Sequence, residues 1–84
     1  NNSWWLFPNP ASGQLNISLN FSRSADVSLY VTDILGQKVL SGAQPVQAGV
    51  STITRDISLL PAGSYFISLS DGHTISTRRF VITR

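Results

Sequence analysis

Few side chains in this sequence are suited to chemistry. The one histidine, His73, stands two residues after Asp71, and serines are plentiful. A serine hydrolase needs its nucleophile within reach of the imidazole, and many present it on a strained Gly-x-Ser-x-Gly turn. No serine here has that setting, so His73 reads as a solvated turn residue. The acids are Asp26, Asp33, Asp56 and Asp71, scattered singly along the chain, with no glutamate. Glycoside hydrolysis needs two carboxyls held across a cleft. Asp33 or Asp71 would each need backbone carbonyls to hold calcium, and no Asp-x-Asp-x-Asp spacing occurs. Without cysteine there is no disulfide, no thiolate nucleophile and no cysteine-based zinc site. No glycine-rich phosphate loop is present. The sequence therefore predicts no catalytic residue, no metal, no cofactor and no enzyme.

Binding features are better candidates. Trp4 and Trp5 are adjacent, so on a strand they point to opposite faces. One exposed ring would stack on a sugar or anchor a protein interface. The expectation taken here is that both pack against one end of the fold. Arg78, Arg79 and Arg84 cluster at the C-terminus. They suit a charged recognition patch, and equally a guard against edge-to-edge aggregation. The net charge is only +2 and the other basic residues are dispersed, unlike the dense stripe of a nucleic-acid binder. No nucleic-acid partner is expected.

Strands and turns must position these residues. The chain has 84 residues, 42% hydrophobic and 12% charged. That suits one small domain burying about 60% of its unfolded surface. It lacks methionine, so it is expected to be a piece of a longer polypeptide. Leu15, Ile17, Leu19 and Phe21 alternate with polar residues, as do Val27, Leu29 and Val31 within Asp26 to Ile34. Tyr65, Ile67 and Leu69 share one face of Gly63 to Ser70, and Phe80 and Ile82 share one face of Arg78 to Arg84. A period of two places one face in a core and the other in water.

Further strands are expected at Lys38 to Leu40 and at Val50 to Ile57, with a loop from Gly42 to Gly49 around Pro45. Leu60 to Gly63 reads as a turn, and Ser70 to His73 as a tight Asp-Gly hairpin turn. The last strand would run from His73 to Arg84. Residues 1–6 would be a linker stub or a first strand, ended by Pro8 and Pro10. Strands at this spacing predict an all-β, antiparallel sandwich or barrel.

Four stretches in order resemble the type IX secretion system C-terminal sorting domain, type A, of Bacteroidetes. They are Phe7-Pro8-Asn9-Pro10-Ala11-Ser12, Val31 to Val39 around Asp33 and Gly36, Leu59 to Ile67 around Gly63 and Tyr65, and Thr77 to Arg84. Each is weak alone, but together they span residues 7–84. The ending has arginine where the family often has lysine, and residues 1–6 fall outside the shared pattern.

The resemblance implies an immunoglobulin-like antiparallel β-sandwich of about six to seven strands, residues 7–84. It implies a non-catalytic signal that directs a cargo domain N-terminal to it across the outer membrane. Its partners would be the type IX translocon and a sortase-like cysteine protease that usually removes it. The protein would pass through the periplasm and end at the cell surface or secreted. Gly36 and Gly63 would allow the chain to turn, and Tyr65 would bury its ring while its hydroxyl finds a partner. Arg78, Arg79, Phe80, Ile82 and Arg84 would form a readable terminal strand, recognised by strand addition. Such an edge would also permit a strand-exchanged homodimer. The alternative is an immunoglobulin- or fibronectin-like adhesion or carbohydrate-binding module using Trp4, Trp5 and Tyr30.

Overall fold

The computed structural model describes residues 2–84; Asn1, first residue of the expected stub, lies outside the described residues. The described residues form seven strands: β1 (Ser3–Phe7), β2 (Gln14–Phe21), β3 (Ala25–Thr32), β4 (Lys38–Val46), β5 (Gly49–Asp56), β6 (Gly63–Ser70) and β7 (Ile75–Ile82). They make a three-stranded sheet in the order β1-β2-β5 and a four-stranded sheet in the order β4-β3-β6-β7. Every strand pairing is antiparallel. This is an all-β, immunoglobulin-like sandwich. Its fourth strand lies beside β3, whereas constant-type immunoglobulin domains keep it on the sheet of the first two strands.

The core follows the alternation of the sequence. Leu15, Ile17, Leu19 and Phe21 of β2 are buried, and so are Val27, Leu29 and Val31 of β3. Tyr65, Ile67 and Leu69 of β6 and Phe80 and Ile82 of β7 complete the facing layer. β5 contributes only Ile53, with Ile57 just beyond it.

Several details differ from the expectations. β4 runs through Gly42 and Pro45 to Val46, where a loop was expected. It is an edge strand, and an edge tolerates a residue that donates no ladder bond. The two tryptophans do not pack alike: Trp4 is 6% exposed and Trp5 47%. β1 pairs with β2 from Ser3 to Phe7, so Trp4 faces the core and its neighbour faces out. Ile34 leaves β3 and is exposed in a turn. The last strand is shorter than expected, because Asp71 to Thr74 form a four-residue connection between paired Ser70 and Ile75. There Gly72 takes a φ of 95°, which favours glycine, and Asp71 N donates to Thr74 O at 3.3 Å.

Candidate functional site

The register brings four sequence-distant stretches to one end of the sandwich. Phe7 pairs with Asn16, Gln14 with Asp56, Thr32 with Phe66, and Gly63 with Ile82. The β1–β2, β3–β4 and β5–β6 connections and the C-terminus therefore lie together.

The Pro8-Asn9-Pro10 stretch carries the chain from one sheet to the other. Both Phe7-Pro8 and Asn9-Pro10 bonds are cis. Beyond them Ala11 forms a parallel bridge to Ile82. Ala11 N donates to Val81 O at 2.8 Å, and Thr83 N donates to Ala11 O at 2.9 Å. Asn9 Oδ1 accepts from Val81 N at 3.2 Å. The first motif thus covers the outer edge of the last one.

Asp33 organises the β3–β4 turn. Its Oδ1 accepts from Leu35 N at 2.9 Å and Gln37 N at 3.0 Å. Gly36 sits at φ 84°, and its N donates to Asp33 O at 3.0 Å. A side-chain carboxylate can bond backbone N–H groups ahead of it, which makes aspartate a turn residue. The result holds Ile34 and Leu35 out in solvent, 72% and 79% exposed.

The β5–β6 connection is fastened at three points. Ser58 holds the Asp56 carboxyl below the ordinary 3.8, through its hydroxyl and its backbone N–H. Tyr65 donates its hydroxyl to Pro61 O at 2.6 Å. Its ring is buried and stacks on Phe80, with centroids 5.7 Å apart. This is the tyrosine corner of immunoglobulin-like sandwiches, in which a tyrosine early in the sixth strand ties down the preceding loop. Arg84 supplies the third point. Its guanidinium donates to the carbonyls of Ser12, Ile57 and Leu60. Leu59 stands clear of these bonds, 95% exposed.

The residues expected to form a readable terminal strand do not share one surface. Phe80 and Ile82 lie in the core, 0% and 1% exposed. The Arg84 side chain is committed to the two adjoining connections. Arg78 and Arg79 are exposed. The Arg78 guanidinium lies 4.8 Å from the Trp4 ring centroid, and Arg79 donates to Ser64 Oγ at 3.2 Å.

The potential chemistry at the opposite end is taken up by structure. Asp71 Oδ1 accepts from Thr74 N and His73 N, each at 2.9 Å. These bonds, the one from Thr74 foremost, hold its carboxyl below 3.8. Among the described residues, no group of three or more His, Cys, Asp or Glu side chains gathers to hold a metal. The sequence reading missed the loop-fastening role of Arg84, and nothing local signals it, since Ser12 is 72 residues away. It also missed the Asp56–Ser58 contact, which an aspartate two residues before a serine at a strand end signals in outline.

Comparison with known proteins follows the same lines. The family described as "Secretion system C-terminal sorting domain" matches residues 5–83. Among solved structures, the chain is similar to dimeric latent PorU from Porphyromonas gingivalis. The TM-score is 0.74 at 15% identity, covering 98% of this chain and 9% of that one. At that identity the likeness shows the fold. No curated protein matches the chain.

Proposed function

The chain belongs to the type IX secretion C-terminal sorting domains, and on that premise we propose that it is a non-catalytic signal directing a cargo domain N-terminal to it across the outer membrane. The cargo passes through the periplasm, meets the translocon through this domain, and is delivered to the cell surface or released. A sortase-like cysteine protease removes the domain by cutting ahead of Ser3. Ser3 to Phe7 are paired with β2 and Trp4 is buried, which supports counting β1 as part of the sorting unit.

One observation carries this reading. The four stretches that resemble the family, spread from residue 7 to residue 84, meet at a single end of the sandwich: Asn9 and Ala11 bond to Val81 and Thr83, Arg84 to Leu60, and Thr32 pairs with Phe66. A translocon facing that end meets Leu35, Leu59 and the tied C-terminus at once, and meets them only when the domain is folded. In this reading Gly36, Gly63 and Tyr65 shape the recognised end. Pro8, Asn9 and Pro10 cover its edge, and Phe80 and Ile82 support it from the core.

The test is a fusion of residues 1–84 to a periplasmic reporter in a bacterium with type IX secretion. Surface exposure of the reporter is expected; a reporter that stays periplasmic overturns the sorting reading. Removing residues 80–84 would strip Phe80 and Ile82 from the core, so it cannot separate recognition from folding. Leu35→Asp with Leu59→Asp can, because both side chains are exposed. Full delivery by that folded variant would move recognition away from this end.

Nothing favours a glycan-binding reading. Trp4 is buried, Trp5 lies on the three-stranded sheet, and Tyr30 lies on the other sheet beneath Lys38, whose Nζ is 4.5 Å from the ring centroid. The three rings form no common platform.

A further inference from the structure

Open sheet edges invite pairing with another chain, and proteins usually protect them. β1 is only five residues long and stops before Pro8. β4 carries Pro45, which has no N–H to offer. Between the β4 and β5 edges lies Arg55, whose Nη2 reaches Gln44 Oε1 at 3.4 Å and packs against Gly42. The last part of β7 is covered by Asn9 and Ala11. Among the described residues, nothing covers the stretch Ile75–Arg79 in this way.

Its backbone direction follows from the ladder. Residues of an antiparallel strand alternate between pointing both N–H and C=O at one neighbour and pointing both away. Val81 sends both groups outward, to Asn9 and Ala11. Arg79 and Thr77, two and four residues earlier in an unbroken pairing with β6, therefore point outward as well. Side chains are open too. Ile75, Ser76, Thr77, Arg78 and Arg79 are all exposed, whereas β3 alternates between buried and open positions. Beside this edge a depression is lined by Trp5, Leu6, Asn9, Thr77, Arg78 and Arg79. Its only ionic groups are the two arginines.

We propose that the outer edge of Ile75–Arg79 is a docking site for an extended acidic segment of a partner protein. The segment adds as a further strand and continues the row of main-chain bonds that Ala11 begins at Val81. Alternate side chains of an added strand project to the two faces. Carboxylates on one face meet Arg79, and those on the other meet Arg78 beside Trp5. A second copy of β7 is the poorer occupant: it would bring four arginines into one short ribbon with no acid between them, and like charges across strands are destabilising. This inference rests on the geometry of β7 and stands apart from the sorting reading.

The test uses the 84-residue chain and a synthetic eight-residue peptide, Thr-Glu-Glu-Thr-Thr-Glu-Glu-Thr, whose adjacent glutamates face opposite sides of a strand, beside a control with lysine for glutamate. Amide hydrogen exchange is expected to slow at Thr77 and Arg79 with the acidic peptide, and Trp5 emission to change. The lysine peptide should bind at least roughly tenfold more weakly, as the loss of two cross-strand ion pairs implies. Arg79→Glu, which gives up only a surface contact to Ser64, should weaken the acidic peptide and favour the lysine one. Thr77→Pro removes an outward N–H and no backbone bond to β6, giving up beside it only the hydroxyl contact with Ser68 Oγ at 2.8 Å, and should abolish the protection at Arg79. An unchanged amide spectrum elsewhere shows that each variant is folded. No protection at Thr77 and Arg79 with millimolar acidic peptide, or equal binding of the two peptides, overturns the proposal. So does undiminished acidic-peptide binding by folded Thr77→Pro. Edge protection that depends on protein concentration without peptide would assign the edge to a second copy and would also overturn it.

Discussion

Tyr65→Phe isolates one bond that joins the core to the motif-bearing end. The substitution deletes the hydroxyl donated to Pro61 O at 2.6 Å and leaves the ring stacked on Phe80. A net intramolecular hydrogen bond contributes about 0.5–1.5 kcal/mol, and a buried partner left unsatisfied adds about 1–3 kcal/mol. Pro61 is exposed and the bond is only part-buried, so the smaller figure applies. The expected loss is about 1 kcal/mol, or roughly 4–8 °C in Tm for a domain of this size. Tyr65→Ala also removes a buried aromatic ring and should cost about 3–5 kcal/mol. Urea titration of both variants and the parent gives the differences. The midpoint should fall with the slope unchanged, because Tyr65→Phe leaves the buried surface nearly intact. A Tyr65→Phe variant as stable as the parent would show that the hydroxyl does not hold the loop. A loss as large as that of Tyr65→Ala would show that the ring depends on the bond for its packing.

Three further outcomes follow from the same end of the fold and its opposite. Gly36→Ala should destabilise by about 1–2 kcal/mol, because a side chain is disfavoured at φ 84° although nothing lies within 4 Å of the added carbon; Gly36→Asn should cost less, and urea midpoints will rank them. Arg84→Ala should cost about 1–2 kcal/mol through three lost carbonyl contacts. It should also speed amide exchange at Leu60, whose N donates to Ile57 O. Asp71 has its folded pKa depressed, so its contribution is complete above the ordinary 3.8 and fades as pH falls through the lower folded value. NMR titration of its carboxyl carbon should show a midpoint below 3.8, and Asp71→Asn should remove that part of the acid sensitivity.

The sandwich could be read from the sequence wherever one face of a strand is buried and the other is not. β2, β3 and β6 show that alternation, and their inward residues are the ones the structure buries. β4 escaped because an edge strand has no second neighbour to satisfy, so Gly42 and Pro45 are tolerated there. The tryptophans were misread for a related reason. Packing both rings against one end of the fold ignores the period of two, and Trp4 and Trp5 obey it. Turn chemistry was partly visible: Asp33 and Gly36 behave as turn residues should, while the Asp71 connection has two residues more than a tight Asp-Gly hairpin. The motif-bearing end was readable only as separate pieces. What assembles it are the bonds from Ala11 to β7 and from Arg84 to Ser12, and these depend on the pairing of every strand between them.

The C-terminal strand combines tasks that a sequence motif cannot separate. Its even-numbered residues Phe80 and Ile82 fill the core, while Val81 and Thr83 receive the Asn9–Ala11 crossover. Arg84, beyond the strand, closes two connections, and only Ile75 to Arg79 remain open along an edge. A basic, alternating ending is therefore compatible with a folding role at one half of β7 and a binding role at the other. A defect caused by losing Phe80 or Ile82 reports on folding, because those groups are inaccessible to any partner. A defect caused by changing Arg79 with the fold intact reports on recognition, because its side chain is exposed and, among the described residues, hydrogen-bonds only to Ser64 Oγ. The division between the two halves falls where Asn9 caps Val81, and there the chain's own first motif ends the edge that a partner strand can use.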